Sequence, residues 1–265
     1  SRRAGPGAAP GARLQAGLCR YLNLERRPDR RRALEALAAP HAWLGRALRR
    51  VPAVDGRDLA WPRLVGEGLF TVQARMQAQK AEDGGQPTIN LENPEESSSH
   101  LTLGGCGCAL SHRQAWQELA DSEASWALVL EDDLVGICPD FDAHLDAVLG
   151  MLPRGWCVCY LGHHSPVPGD KKMLGPGERV QGILRVTADG WLAGLWCYLV
   201  SKEWARLALR QAVPFAAQVD AVLGIMAAES GRCFCLAPGQ FLALSRASEV
   251  SRDTDVQTFP GAVGP

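Results

Sequence analysis

Ser125-Trp-Ala-Leu-Val-Leu-Glu-Asp-Asp-Leu134 is the stretch on which the fold turns. Its apolar run, Trp126 to Leu130, stops at three consecutive carboxylates, Glu131, Asp132 and Asp133. A short apolar run bounded by polar residues reads as a strand buried on both faces. Open α/β sheets bind ligands at the carboxyl ends of their strands, where these acids would stand. Adjacent negative charges repel one another and need a positive charge nearby. A hard divalent cation held through oxygen, Mg²⁺ or Mn²⁺, meets that need and would bring a phosphate-bearing substrate with it. A solvated acidic turn is the other reading, and the stretch alone does not choose between them.

The flanks add alternating strands and helices. Downstream, residues 140–152 read as a helix with Phe141, Leu145, Val148 and Leu149 on one side, closed by Pro153-Arg-Gly155. Residues 156–161 form a second buried strand that runs into Gly162-His163-His164. Neighbours on an extended chain point opposite ways, so at most one of these histidines faces the acids. Residues 165–178 are a Pro/Gly loop, suited to a lid or an acceptor-binding role. Upstream, Leu103-Gly-Gly-Cys-Gly-Cys-Ala-Leu-Ser-His112 opens a helix through residue 120, its glycines permitting close backbone approach. Ser111 and His112 are expected early in that helix, near its positive end. A single helical histidine is more often a packing or capping residue than a ligand.

The outer segments continue the pattern. Residues 14–24 read as a first strand, a polar turn follows, and residues 30–38 read as a helix ended by Pro40. This opening lacks a Gly-rich phosphate loop, so a Rossmann or P-loop site is not supported. Residues 48–54 give a second strand leading into the Asp55-Gly56 turn, and residues 72–80 look helical. Residues 191–200 read as a central strand, and Ser201 can cap a helix over residues 202–211. Asp220 falls in the first turn of another helix, where a dipole partner or cap is the plain account. Residues 233–236 are a late strand stopped by Pro238. The expected organisation is a lead-in over residues 1–13, one α/β domain over 14–256 with a polar loop at 81–100, and a loose tail over 257–265.

Composition sets the outer bounds. The 265 residues suffice for one large or two small domains, and 46% hydrophobic with 22% charged residues suits a globular core. A net charge of −1 gives no bulk attraction to nucleic acid or a membrane surface. No apolar run is long enough to span a bilayer. The chain begins with Ser, so a fragment or processed form is expected, and an upstream signal or anchor stays open. The nine cysteines are odd in number. Cys106/Cys108, Cys157/Cys159 and Cys233/Cys235 are each one residue apart, which on a strand puts both thiols on one face. Zinc ligand pairs usually have wider spacing, so these read as buried thiols, with a disulfide framework the lesser alternative.

Six segments, in order, resemble glycosyltransferase family 25, which includes bacterial lipooligosaccharide galactosyl- and glucosyltransferases and animal procollagen galactosyltransferases. They are Tyr21-Leu-Asn-Leu-Glu-Arg-Arg-Pro-Asp-Arg30, Val51-Pro-Ala-Val-Asp-Gly-Arg57, Leu103 to His112, Ala127-Leu-Val-Leu-Glu-Asp-Asp133, Cys197-Tyr-Leu-Val-Ser201 and Val219-Asp220. The resemblance implies a GT-A-like nucleotide-binding sandwich, its mostly parallel central sheet flanked by helices. It implies UDP-galactose or UDP-glucose as donor, Mn²⁺ (or Mg²⁺) as metal, and a hydroxyl on a glycan or protein as acceptor. On this likeness Glu131 and Asp133 ligate the metal, and Asp132 stands between them as a catalytic residue. Asn23, Arg27, Arg30 and Asp55 line the nucleoside and diphosphate pocket, with Gly105, Ser111 and His112 forming its wall. Asp220 is the candidate base for the acceptor hydroxyl. Trp191 and Trp196 either stack on a sugar or fill the core, and Trp196 fits the core better.

The chain also departs from the family. Members often carry a histidine near the C-terminal end, whereas residues 240–255 have none, leaving Asp253 or Asp255 as substitutes. A catalytically silent binding module is therefore the competing reading. A metal-dependent nucleotidyltransferase or phosphohydrolase is a third, opposed by the missing phosphate loop and by the six segments. The compartment follows the acceptor: secretory lumen for collagen modification, cytoplasm or inner membrane for a bacterial-like glycan.

Overall fold

The computed structural model describes residues 11–88, 98–164, 172–187, 192–237, 239–245 and 253–258. Its strands are β1 (Gly17–Asn23), β2 (Leu48–Pro52), β3 (Trp126–Glu131), β4 (Leu134–Ile137), β5 (Val158–His164), β6 (Ile183–Arg185), β7 (Ala193–Ser201), β8 (Cys233–Leu236) and β9 (Ala243–Ser245). Its α-helices are α1 (Pro28–Ala38), α2 (Leu44–Ala47), α3 (Trp61–Gly66), α4 (Val72–Asp83), α5 (Leu103–Asp121), α6 (Phe141–Met151), α7 (Lys202–Gln211) and α8 (Val219–Glu229). Seven strands form one sheet in the order β2-β1-β3-β7-β5-β8-β6, and β4 pairs with β9 in a small ribbon. β2, β1, β3, β5 and β8 run one way, while β7 and β6 run against them. The result is the expected α/β sandwich, with a mixed sheet in which most strands share a direction.

Alternation along β3 divides the core in two. Ala127 and Val129 pack into one apolar cluster with α5, α7 and α8, whereas Trp126, Leu128 and Leu130 pack into the other with α1 and α6. Both faces are covered, which is why a continuous apolar run suits this position. Helix starts follow local chemistry. Thr71, Thr102 and Ser201 cap α4, α5 and α7 by accepting from Ala74 N, Gly105 N and Trp204 N.

Some expected details change. α4 continues through Asp83, so Ala81, Glu82 and Asp83 are helical rather than part of the polar loop, of which residues 89–97 lie outside the described residues. Thr258, expected in a loose tail, is tied to Thr88, which donates its N–H to the Thr258 carbonyl at 3.1 Å. Cys106 and Cys108 lie on a helix, where that spacing turns two side chains apart. Cys157 precedes β5 and packs in the cluster opposite to Cys159. All nine cysteines are free thiols, Cys108 alone not being fully buried.

Candidate functional site

The carboxyl ends of β1 and β3 are adjacent because the two strands pair in parallel, Leu22 beside Glu131. Glu131 ends β3, and Asp132 and Asp133 turn the chain into β4. The trio is split by its surroundings. Asp132 faces β1 and α1, accepting from Asn23 Nδ2 at 2.7 Å and from Arg30 Nη1 at 3.3 Å. Glu131 faces α5, with its Oε1 3.1 Å from His112 Nε2. Asp133 Oδ1 is buried and has no hydrogen-bond partner. Burial, then the charge of Glu131, pushes the Asp133 carboxyl well above the usual carboxylate range. Burial also raises Asp132, against the opposing pull of Asn23 and Arg30.

His112 lies in the middle of α5, not near its positive end, and is fully buried. A hydrogen-bonded row leads through it. Trp116 Nε1 donates to Tyr198 Oη at 2.9 Å, Tyr198 Oη is 3.0 Å from His112 Nδ1, and Nε2 meets Glu131. With Trp116 donating, the Tyr198 proton can point to Nδ1, and Nε2–H then donates to the carboxylate. A helical histidine of this kind satisfies the core and holds an acid at once. Ser111 is spent on the scaffold, donating to Gly107 O at 2.7 Å and accepting from Val54 N at 2.9 Å.

The glycines of α5 serve close packing between backbones. A Cβ on Gly107 would collide with the Val54 carbonyl, and one on Gly104 with the Asp255 carbonyl. Gly105, buried beside them, would meet Leu101 Cδ2 and Thr102 Oγ1 at 3.4 Å. The approach that the sequence allowed to a neighbour or ligand is here to residues 54–56 and 255–256.

The arginines gather next door. Arg27 pairs with Asp29, Asp253 and Asp255, each at 2.9 Å. Arg30 pairs with Asp132 and Asp253 at 3.3 Å and with Asp255 at 3.6 Å. Arg26 bridges Asp55 at 2.7 Å and Asp255 at 2.5 Å. Asp55 also binds Arg57, which holds its carboxyl well below the usual range. Hydrogen bonds from Arg27 do the same for Asp29 and Asp253.

Asp220 enters from the first turn of α8, as its sequence position suggested. Its Oδ1 accepts from Ala221 N at 2.8 Å and its Oδ2 from Gly194 N at 3.2 Å. Burial raises its carboxyl, and the charges of Glu131 and His112 reach it. Of the paired histidines, His163 is a core residue, its Nε2 3.0 Å from Leu236 O, and His164 lies edge-on to Trp196 at 4.7 Å. Trp196 is buried and donates to Ala243 O at 3.2 Å, as a core residue. Trp191, residues 165–171 of the loop over residues 165–178, and residues 246–252 lie outside the described residues.

An α/β sandwich with carboxylates at a strand end and arginines beside them defines a candidate for binding a cation and an anionic ligand together. Residues 21–152 match the family described as "Glycosyltransferase family 25 (LPS biosynthesis protein)", and the chain belongs to that family. A "Glycosyltransferase 25 family member" from Aedes aegypti is 28% identical over 72% of this chain and 27% of its own length. "Probable inactive glycosyltransferase 25 family member 3" of Bos taurus is 29% identical over 77% of this chain and 31% of its own. "Procollagen galactosyltransferase 2" of Homo sapiens is 27% identical over 70% and 26%. The chain thus spans under a third of the length of each of these three relatives. Among solved structures, the "Crystal Structure of A197 from STIV" matches 60% of this chain and 78% of its own at 18% identity, with a TM-score of 0.34. No helix among the described residues is long and apolar enough to cross a membrane.

Sequence reading missed Cys108, Tyr198, Trp116 and Arg26. Helical spacing was the available signal for the first: once α5 is known to be helical from Leu103, Cys108 and His112 fall on one face. Tyr198 and Trp116 carried no signal beyond apolar strand and helix patterns.

Proposed function

We propose that this domain binds a UDP-hexose, galactose or glucose, and transfers the hexose to a hydroxyl of a glycan or protein acceptor. The observation that supports this most is the buried, unpartnered Asp133 Oδ1 beside Glu131 at the end of β3. A buried acceptor without a donor is costly, and carboxylate oxygens are what Mn²⁺ or Mg²⁺ prefers. Glu131 and Asp133 would hold that ion, which when bound offsets the charge on the departing diphosphate. Arg27 and Arg30, now paired with Asp253 and Asp255, would pair with phosphate oxygens once those acids yield. Asn23 and Asp132 fix Arg30 and the turn after β1. Asp55 secures the neighbouring loop, and His112 orients Glu131 while Gly105 and Ser111 back it. Asp220, raised by burial, accepts the proton of the acceptor hydroxyl in an inverting transfer. The domain shares the GT-A-like plan on this reading.

A second reading is a silent family member that binds donor without turnover. The bovine relative's name, the absence of histidine in residues 240–255, and the occupation of Arg27 and Arg30 by Asp253 and Asp255 favour it. Purified protein with Mn²⁺ should release UDP from UDP-galactose or UDP-glucose. Donor binding with no turnover on any acceptor would select the silent module, and no donor binding at all would remove both readings.

A further inference from the structure

Cys108 and His112 stand four residues apart on α5, the spacing that places two side chains on one helix face a turn apart. Glu131 reaches the same point from the end of β3. One sulfur, one imidazole nitrogen and one carboxylate oxygen from these residues lie within 4.8 Å of one another. Cys108 also lies within electrostatic reach of Asp132, Asp133 and Asp220, so a dication there meets negative charge on several sides. Thiolate, imidazole and carboxylate together form the donor set of zinc, while Mg²⁺ and Mn²⁺ favour oxygen alone.

We infer that Cys108 Sγ, His112 Nε2 and a Glu131 oxygen form a site for a soft divalent cation, zinc in the first instance, with a fourth position open. Three protein donors and one open position is the pattern of an accessible zinc site. Binding replaces the His112–Glu131 hydrogen bond by two metal bonds and releases the Cys108 thiol proton to solvent. His112 then needs its proton on Nδ1, and the Tyr198 oxygen, already accepting from Trp116, can accept that bond as well. Glu131 is also assigned to the hard cation of the donor complex, so the two occupancies exclude one another. Only this exclusion rests on the donor-binding reading.

The test is X-ray absorption at the zinc edge on the intact protein loaded with one equivalent of zinc. One sulfur at about 2.3 Å with nitrogen and oxygen at about 2.0–2.2 Å is expected. Cys108→Ala should remove the sulfur and weaken zinc binding by about 100-fold or more, beyond the loss expected from an outer-shell partner. Cys106→Ala, whose buried thiol lies elsewhere on the helix, should change neither. A shell of nitrogen and oxygen alone in the unaltered protein overturns the proposal, whether or not Cys108→Ala folds. So does a sulfur that survives Cys108→Ala. In a parallel titration, zinc should release Mn²⁺ from the protein, read by the return of the free Mn²⁺ electron spin resonance signal. Simultaneous binding of both ions refutes the shared Glu131. A sulfur shell without any UDP-sugar turnover leaves the zinc site standing and removes only the transfer reading.

Discussion

Two acid-rich regions share the end of β1 and β3, and their charges are settled in opposite ways. Around Arg26, Arg27 and Arg30, the carboxylates of Asp29, Asp55, Asp253 and Asp255 each meet a guanidinium. Across Asp132, the carboxylates of Glu131, Asp133 and Asp220 have no arginine or lysine within ion-pair distance among the described residues; His112 meets Glu131, and Asp220 accepts from the backbone N–H groups of Gly194 and Ala221. Asp29, Asp55 and Asp253 are held in ionised form by the fold. Asp133 and Asp220 are buried against their own solvation, and the charge of Glu131 adds to the cost of each. Function is best sought where the protein leaves charge uncompensated, because a ligand cation or a transferred proton can relieve it.

The sharpest break of this contrast is Asp133→Ala. UDP release in Mn²⁺ should fall on the order of 100-fold or more, since a group that acts through charge at the reacting centre is lost. Arg57→Ala, which removes only one exposed partner of Asp55 on the matched side, should leave turnover within a few-fold. Equal losses in the two variants would end the distinction between the regions.

The next effect concerns the element that joins them. Gly107→Ala drives a methyl group into the Val54 carbonyl and should cost about 1–3 kcal/mol in urea unfolding. Gly105→Ala meets only side-chain atoms at 3.4 Å and should cost far less. A smaller change tests the matched region itself. Arg27→Ala leaves Asp253 with Arg30 and Asp255 with Arg26 and Arg30, so a loss of about 1–2 kcal/mol is expected, between the exposed and buried limits for ion pairs. Faster proteolysis near residues 253–258 should accompany it.

Much of the sheet was legible because β3, β7 and β8 are buried on both faces and read as apolar runs. Helix α7 was legible from its cap, Ser201. The direction of β7 was not, because antiparallel and parallel central strands present the same apolar sequence. Within the site, the acid trio could be named from its position at a strand end, and Arg27, Arg30, Asp55 and Asp220 from the family resemblance. Their pairing could not. Whether Arg27 meets phosphate or Asp253 depends on a contact between residues 226 positions apart, which no local pattern encodes. The start of α5 was recognised, yet its glycines disguised how far His112 lies from the helix end. Glycine is a poor helix former, and packing against residues 54–56 and 255–256 outweighs that preference here.

The smallest effect is in pH, and the two regions should respond with opposite sign. Asp133 has a raised carboxyl pKa in the folded chain. Its contribution to stability is therefore greatest in acid and is lost as pH climbs from the ordinary carboxylate value, about 4, through the raised one. Asp55 and Asp253 have lowered values, so their contribution is present above about pH 4 and is lost as pH falls through the lowered ones. Asp133→Asn should then be more stable than the unaltered chain at neutral pH, with the advantage shrinking by on the order of 1 kcal/mol from about pH 7 to about pH 5. Arg27→Ala should instead flatten the acid side of the curve, below about pH 4, where Asp253 otherwise loses its partner on protonation. Denaturant titrations of the three proteins across this range give both slopes without any ligand. Because metal added to the unaltered protein competes with the proton on Asp133, Mn²⁺ should abolish the neutral-pH advantage of the asparagine variant. An advantage that persists unchanged in saturating Mn²⁺ would mean that the unpaired carboxylate is not where the cation sits.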